Sequence, residues 1–124
     1  MKIQESAENY LETILVLGQE GNPVRSIDIV NELKYSKPSV SVAMKNLRER
    51  KLVEIDSTGH ITLTTEGRKI AESIYERHVL LSNWLIQLGV DRETAVNDAC
   101  GMEHSISEKS YLAIKKHIKE YKNQ

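Results

Sequence analysis

Residues 26–64 constrain the fold of this chain more than any other stretch. Ser26 can cap a short helix whose apolar stripe is Ile27, Ile29, Val30 and Leu33. Lys34-Tyr35-Ser36 then leaves three residues for a turn. Val40, Ala43, Met44 and Leu47 follow at i, i+3, i+4 and i+7, the spacing of one buried helix face. Ser36 or Lys37 can cap this second helix, and Pro38 sits in its first turn, where a missing N–H does no harm. Leu52-Val53-Glu54-Ile55 alternates as a half-buried strand does. Asp56-Ser57-Thr58-Gly59 has the composition of a tight turn, and His60-Ile61-Thr62-Leu63-Thr64 is the return strand. A short helix, a three-residue turn, a longer helix and a hairpin are the parts of a winged helix-turn-helix.

Charge falls on the same segment. The chain as a whole carries −1. Residues 34–51 hold Lys34, Lys37, Lys45, Arg48, Arg50 and Lys51 against Glu49 alone, a local +5 that leaves −6 for the remainder. With its core positions assigned, the second helix leaves Ser36, Lys37, Pro38, Ser39, Ser41, Val42, Lys45 and Asn46 on its outer and N-terminal surfaces. Small hydroxyl side chains at a helix N-terminus let phosphates approach closely. Val42 can meet a thymine methyl in the major groove. Lys37, Lys45 and Arg48 are expected on phosphates, which makes affinity fall with salt. The rival use of such a lobe is protein contact. The coincidence of the +5 segment with the expected recognition helix favours double-stranded DNA.

The flanks read as helices. Ser6 can cap a first helix carrying Tyr10, Leu11, Ile14 and Leu17, ended by Gly18 and Glu20-Gly21-Asn22-Pro23. Thr65 can cap a long helix with no Gly or Pro from Arg68 to Leu88 and a stripe of Ile70, Ile74, Leu81, Leu85 and Leu88. Gly89 stops it, Asp91 caps a fifth helix, and Ser107 caps a sixth with Tyr111, Ile114 and Ile118. The tail Lys119 to Gln124 is expected to fray. The fold class expected is mainly α. A winged helix-turn-helix DNA-binding lobe spans 1–70, and a helical dimerisation and metal-binding lobe spans 71–124. Apolar surface on the last two helices, including Ala95, Ala99 and Met102, is the expected homodimer contact. No run of about 18 apolar residues is present, so no membrane partner is expected. Cys100 is the one cysteine, no signal peptide is visible, and the location expected is the cytoplasm.

Cys100, Glu103 and His104 lie at i, i+3 and i+4 of the fifth helix, a thiol, a carboxylate and an imidazole on one face. Asn9 and Glu12 stand at i and i+3 on helix one, and His78 sits between Ile74 and Leu81 on the long helix. Each has an ordinary structural explanation alone: a core histidine, a small buried thiol, a surface pair. Together they make a donor set suited to a transition metal.

Several segments match a known family. They are Asn9-Tyr10-Leu11-Glu12, Ser36-Lys37-Pro38-Ser39-Val40-Ser41, Leu63-Thr64-Thr65-Glu66-Gly67, Arg77-His78-Val79-Leu80 and Cys100-Gly101-Met102-Glu103-His104. From about Glu5 to about Ile118 the chain resembles the diphtheria toxin repressor and manganese transport regulator family of metal-dependent transcriptional repressors. The resemblance implies that Cys100, Glu103 and His104 bind metal, with a further ligand at Asn9. Glu12 and His78 fall where the manganese branch has ligands of a neighbouring site. Cys100 is typical of the iron branch, where the manganese branch has a glutamate, whereas Glu12 is typical of the manganese branch. Asn9 matches neither the Met nor the Asp usual at its position. The iron branch's ancillary carboxylate is replaced by Ser82 or Asn83. A short form without the C-terminal SH3-like domain is expected.

The function so implied is a homodimeric, Mn(II)- or Fe(II)-dependent repressor of metal-uptake genes on a palindromic operator. It would hold one or two ions per subunit, with Co(II), Zn(II) or Ni(II) as substitutes. Two other readings stay open on the residues alone. One is a winged-helix regulator that senses oxidation at Cys100 without metal. The other is a small metallohydrolase, although His104 has Glu108 rather than a second His four residues on, and no Ser-His-Asp or Cys-His-Asn framework is apparent. The chain is therefore expected not to be an enzyme.

Overall fold

The computed structural model describes residues 5–19 and 21–122. It divides into two compact units, residues 1–73 and 74–124. The first contains α1 (Glu5–Gly18), α2 (Ser26–Leu33), α3 (Lys37–Glu49), β1 (Val53–Ile55), β2 (Ile61–Leu63) and the start of α4 (Thr65–Gln87). Its core draws one face from every element: Leu11 and Ile14 of α1, Ile29 of α2, Val40, Met44 and Leu47 of α3, Val53 and Ile61 of the hairpin, and Ala71 of α4. The i, i+3, i+4, i+7 stripe of α3 is the one the spacing required, with Ala43 half-buried beside it. The hairpin is antiparallel, pairing Val53 with Leu63, Glu54 with Thr62 and Ile55 with Ile61. Three residues per strand is marginal for an isolated hairpin. A further bond, Ile61 N–H to the Val24 carbonyl at 2.7 Å, ties it to the segment before α2.

Of the two candidates, Ser36 rather than Lys37 caps α3, its Oγ accepting from Ser39 N–H at 3.2 Å. Three other starts differ. α1 already includes Glu5, so Ser6 lies within it. Ser26 and Thr65 are first helical residues rather than caps. The first turn of α2 is closed by Asp28, whose carboxylate accepts from Arg25 N–H at 2.9 Å. That of α4 is closed by Thr64, whose Oγ1 accepts from Gly67 N–H at 3.1 Å and donates to the Lys51 carbonyl at 2.8 Å. A capping residue keeps extended dihedrals outside the helix, and adjacent threonines do not reveal from sequence which of them does so. Gly67 has a separate role. A Cβ there would lie 2.0 Å from the Leu52 carbonyl oxygen, so only glycine lets α4 pass this close to the chain entering β1.

The second unit comprises the rest of α4 with α5 (Arg92–Ser105) and α6 (Glu108–Lys122). Ile74, Leu81, Ala95, Ala99 and Tyr111 are buried in it. Asp91 caps α5 through Thr94 N–H at 3.0 Å, and Ser107 caps α6 through Ser110 N–H at 3.1 Å. Three expectations need correction. Leu88 lies beyond the end of α4 and is 65% exposed, because the chain turns away at Gly89 with φ +104. Ala95 and Ala99 are fully buried inside the chain, so they are not available as dimer contacts, while Met102 is half-buried. α6 continues through Lys122 rather than fraying from Lys119, since nothing after Ile118 breaks a helix. Residues 123–124 lie outside the described residues. No described helix is long and apolar enough to cross a membrane.

Candidate metal centre and nucleic-acid interface

The exposed face of α3 follows from the burial of the other. With Val40, Met44 and Leu47 facing the core, Ser36, Lys37, Pro38, Ser39, Ser41, Val42, Lys45 and Arg48 are all exposed. Val42 is the most open apolar side chain of the helix at 61%. Ser36 Oγ also donates to Ser39 Oγ at 2.8 Å, so the two hydroxyls stand together at the helix N-terminus. Lys34 and Lys51 flank α3 with φ near +60°, where glycine would be easier, yet both positions carry a cation. The wing turn is built by Asp56. One carboxylate oxygen accepts from Thr58 N–H at 2.9 Å, Thr58 Oγ1 at 2.7 Å and His60 N–H at 2.9 Å. The Thr58 hydroxyl and then the His60 amide hold its carboxyl down at about 2.

In the second unit α4 and α5 bring His78, Glu103 and His104 together. Glu103 is fully buried. Its Oε2 lies 2.8 Å from His78 Nδ1 and its Oε1 lies 3.4 Å from His104 Nε2. The His104 side chain is 2% exposed and that of His78 26%. Cys100 lies one turn earlier on α5 and is exposed. Asn9 and Glu12 lie on α1 in the first unit, Asn9 half-buried and Glu12 about nine-tenths buried. A carboxylate removed from water needs compensation. Glu103 Oε1 is buried and accepts no hydrogen bond among the described residues. A buried carboxylate with one oxygen in that position and an imidazole beside each oxygen has the chemistry of a divalent-ion ligand. The donor set therefore fits a metal.

The surroundings contain residues that the sequence did not assign to the site. Arg77, nine-tenths buried, donates from Nη1 to the carbonyls of Ile106 at 2.9 Å and Glu103 at 3.3 Å, and from Nη2 to the Glu108 carboxylate at 2.6 Å. Its guanidinium lies 5.0 Å from the centroid of the Tyr111 ring. Tyr111 in turn donates to Glu76, which is also paired with Lys115. Burial first, and then the Glu76 carboxylate, push the Tyr111 phenol up to about 12. Glu76 is held below the usual carboxylate range, chiefly by its bond from Lys115. The sequence signal for Arg77 was its place directly before His78 in the family-matching segment Arg77-His78-Val79-Leu80.

Family comparison agrees in both halves. Residues 2–61 match the iron dependent repressor, N-terminal DNA binding domain, and residues 64–124 match the iron dependent repressor, metal binding and dimerisation domain. The chain belongs to the iron-dependent repressor family. It is 37% identical over 112 residues to the transcriptional regulator MntR of Escherichia coli O6:H1, covering 90% of this chain and 72% of that one. It is 33% identical over 102 residues to the HTH-type transcriptional regulator MntR of Bacillus subtilis (strain 168), covering 82% and 72%. Among solved structures, a manganese-dependent transcriptional repressor in complex with manganese superposes with TM-score 0.82 at 26% identity. That match covers 90% of this chain and 51% of the other, so this chain spans about half the length of that repressor. The function carried by the family is metal-dependent transcriptional repression through a winged-helix DNA-binding domain, and its members are regulators rather than enzymes.

Proposed function

We propose that this chain is a cytoplasmic, homodimeric repressor of metal-uptake genes that binds a palindromic operator when loaded with Mn(II) or Fe(II). Residues 1–70 act as the DNA-binding domain and residues 71–124 as the dimerisation and metal-binding domain. The observation that carries the reading is the buried Glu103 carboxylate held between His78 and His104. Glu103 and His104 are ligands. His78, whose Nδ1 meets the Glu103 carboxylate at 2.8 Å, would hold the ion with them. Cys100 completes the α5 set, and Asn9 and Glu12 are further ligands from α1, for one or two ions per subunit. Co(II), Zn(II) and Ni(II) are substitutes, the first two favoured by the thiol more than Mn(II) is.

Ligands drawn from α1, α4 and α5 make ion uptake and operator binding one linked equilibrium. The bound ion supplies the charge that Glu103 and its neighbours are arranged to meet. An ion that favours the DNA-competent state by about 5.5 kcal/mol would move a two-state population from mostly off to mostly on. In that state Ser36, Ser39 and Ser41 meet phosphates or base edges, Val42 meets a thymine methyl, and Lys37, Lys45 and Arg48 neutralise phosphates, with Pro38 fixing the helix entry.

The test is operator binding by the full chain with Mn(II), Fe(II), Co(II) and Zn(II), in wild type and Cys100→Glu. Metal is expected to tighten binding, and the substitution to move the preference toward Mn(II). Equal affinity in the presence of a chelator refutes the switch.

A further inference from the structure

Two consecutive residues of α4 grip one residue of α5. His78 Nδ1 meets the Glu103 carboxylate at 2.8 Å, and Arg77 Nη1 meets the Glu103 carbonyl at 3.3 Å. The second contact answers a need of the helix. The last four carbonyls of α5, those of Met102 to Ser105, lack the ordinary i+4 partner unless the chain beyond supplies one. Ile106 N–H serves Met102, and the cap at Ile106 is extended rather than left-handed, so no glycine-type closure follows. Arg77 takes its place. It reaches the Glu103 carbonyl inside the last turn and the Ile106 carbonyl just past it. A cation there also meets the negative end of the α5 dipole.

The arginine is itself fixed on three sides. Glu108 of α6 accepts from Nη2 at 2.6 Å, and the Tyr111 ring lies against the guanidinium. Lysine cannot reproduce this, because it offers a point charge without a planar fork. The ammonium could reach one of these acceptors but not all three in one geometry.

We propose that Arg77 is a positioning residue for the metal centre. It sets the angle at which α5 ends, and so places the Glu103 carboxylate and the His104 imidazole relative to His78. It acts through the α5 carbonyls and does not touch the ion. This rests on the metal reading above. It adds a residue outside the ligand set that controls ligand geometry, and outer partners of this kind typically change metal affinity by about 10- to 100-fold.

The test uses the full chain with Arg77→Lys, read by chelator-competition affinity for Mn(II) and Co(II), by the visible spectrum of the Co(II) form, and by melting of the metal-free protein. Arg77→Lys is expected to weaken both metals by about 10-fold or more and to alter the Co(II) spectrum. A purely structural arginine would lower the melting temperature and leave the affinity and spectrum of the folded protein unchanged. That outcome overturns the proposal. Should Arg77→Lys not fold, Tyr111→Leu removes the ring beneath the guanidinium and leaves its hydrogen-bond acceptors in place. It is expected to weaken metal binding in the same direction, and unchanged affinity overturns the proposal. If wild type takes up neither metal, the metal reading fails and this proposal falls with it. Uptake by wild type with equal uptake by the folded variants refutes the role of Arg77 alone.

Discussion

Gly67→Ala and Gly101→Ala are the same chemical change in two helices, and the structure requires opposite outcomes. Replacing a helical glycine by alanine ordinarily stabilises by about 0.4–1 kcal/mol, because the unfolded chain loses freedom. At Gly101 of α5 no atom lies within 4 Å of the new Cβ, so this gain should be realised in full. At Gly67 the Cβ would stand 2.0 Å from the Leu52 carbonyl oxygen and 3.0 Å from its carbon. Ordinary contact begins near 3.4 Å, so α4 or the chain at Leu52 must move by more than an ångström. The contacting atoms are backbone, and no rotamer change relieves them. The Leu52 carbonyl also accepts from Thr64 N–H at 3.1 Å. Thr64 Oγ1 bridges Gly67 N–H and the Lys51 carbonyl at 3.1 and 2.8 Å. Displacement endangers all three bonds, each with a net value of about 1 kcal/mol. Together with overpacking strain of about 1–3 kcal/mol, Gly67→Ala should cost about 2–5 kcal/mol after the unfolded-state gain. Against a typical total of about 5–15 kcal/mol, that is a severe loss. Urea denaturation of the metal-free protein, followed by circular dichroism, measures both variants. A neutral or stabilising Gly67→Ala would refute the reasoning that α4 packs on the Leu52 backbone.

Two further outcomes test the DNA lobe. Lys45→Ala and Arg48→Ala should each weaken binding across all DNA sequences and reduce the log–log salt slope by about one. A change confined to one operator base pair would instead assign base contacts to them. The Asp56 carboxyl, lowered to about 2 by the Thr58 and His60 donors, contributes wing stability that is complete above its unfolded value. As pH falls from about 4 through the folded value, that contribution is lost. Hydrogen exchange at the Thr58 and His60 amides should lose its excess protection over that window. In Asp56→Asn the pH dependence should vanish.

Much of the DNA lobe was legible because its signals are local. The stripe Val40, Ala43, Met44, Leu47 determined which side of α3 faces inward, and the exposed candidates for DNA contact followed by subtraction. The caps at Asp91 and Ser107 were equally visible, and that of α3 was narrowed to Ser36 or Lys37. Where two hydroxyl residues adjoin, as at Thr64 and Thr65, the composition identified the helix start but not which residue stays outside it. The dimer expectation failed at Ala95 and Ala99 for a related reason. Small apolar residues on a helix suit an interface and an intramolecular core alike, and only the packing of the second unit shows that they are spent internally.

Sequence by itself determined the winged-helix layout and the position of the basic surface, which are properties of local spacing, and the family resemblance singled out the candidate ligands. Tertiary structure alone decided that Glu103 is buried between His78 and His104 while Cys100, one turn away, faces solvent. It also decided that Arg77 closes the end of α5 and that Gly67 touches the Leu52 backbone. These are contacts between residues 15 to 29 positions apart. Periodicity says which face of a helix is covered, and the neighbouring element determines what covers it.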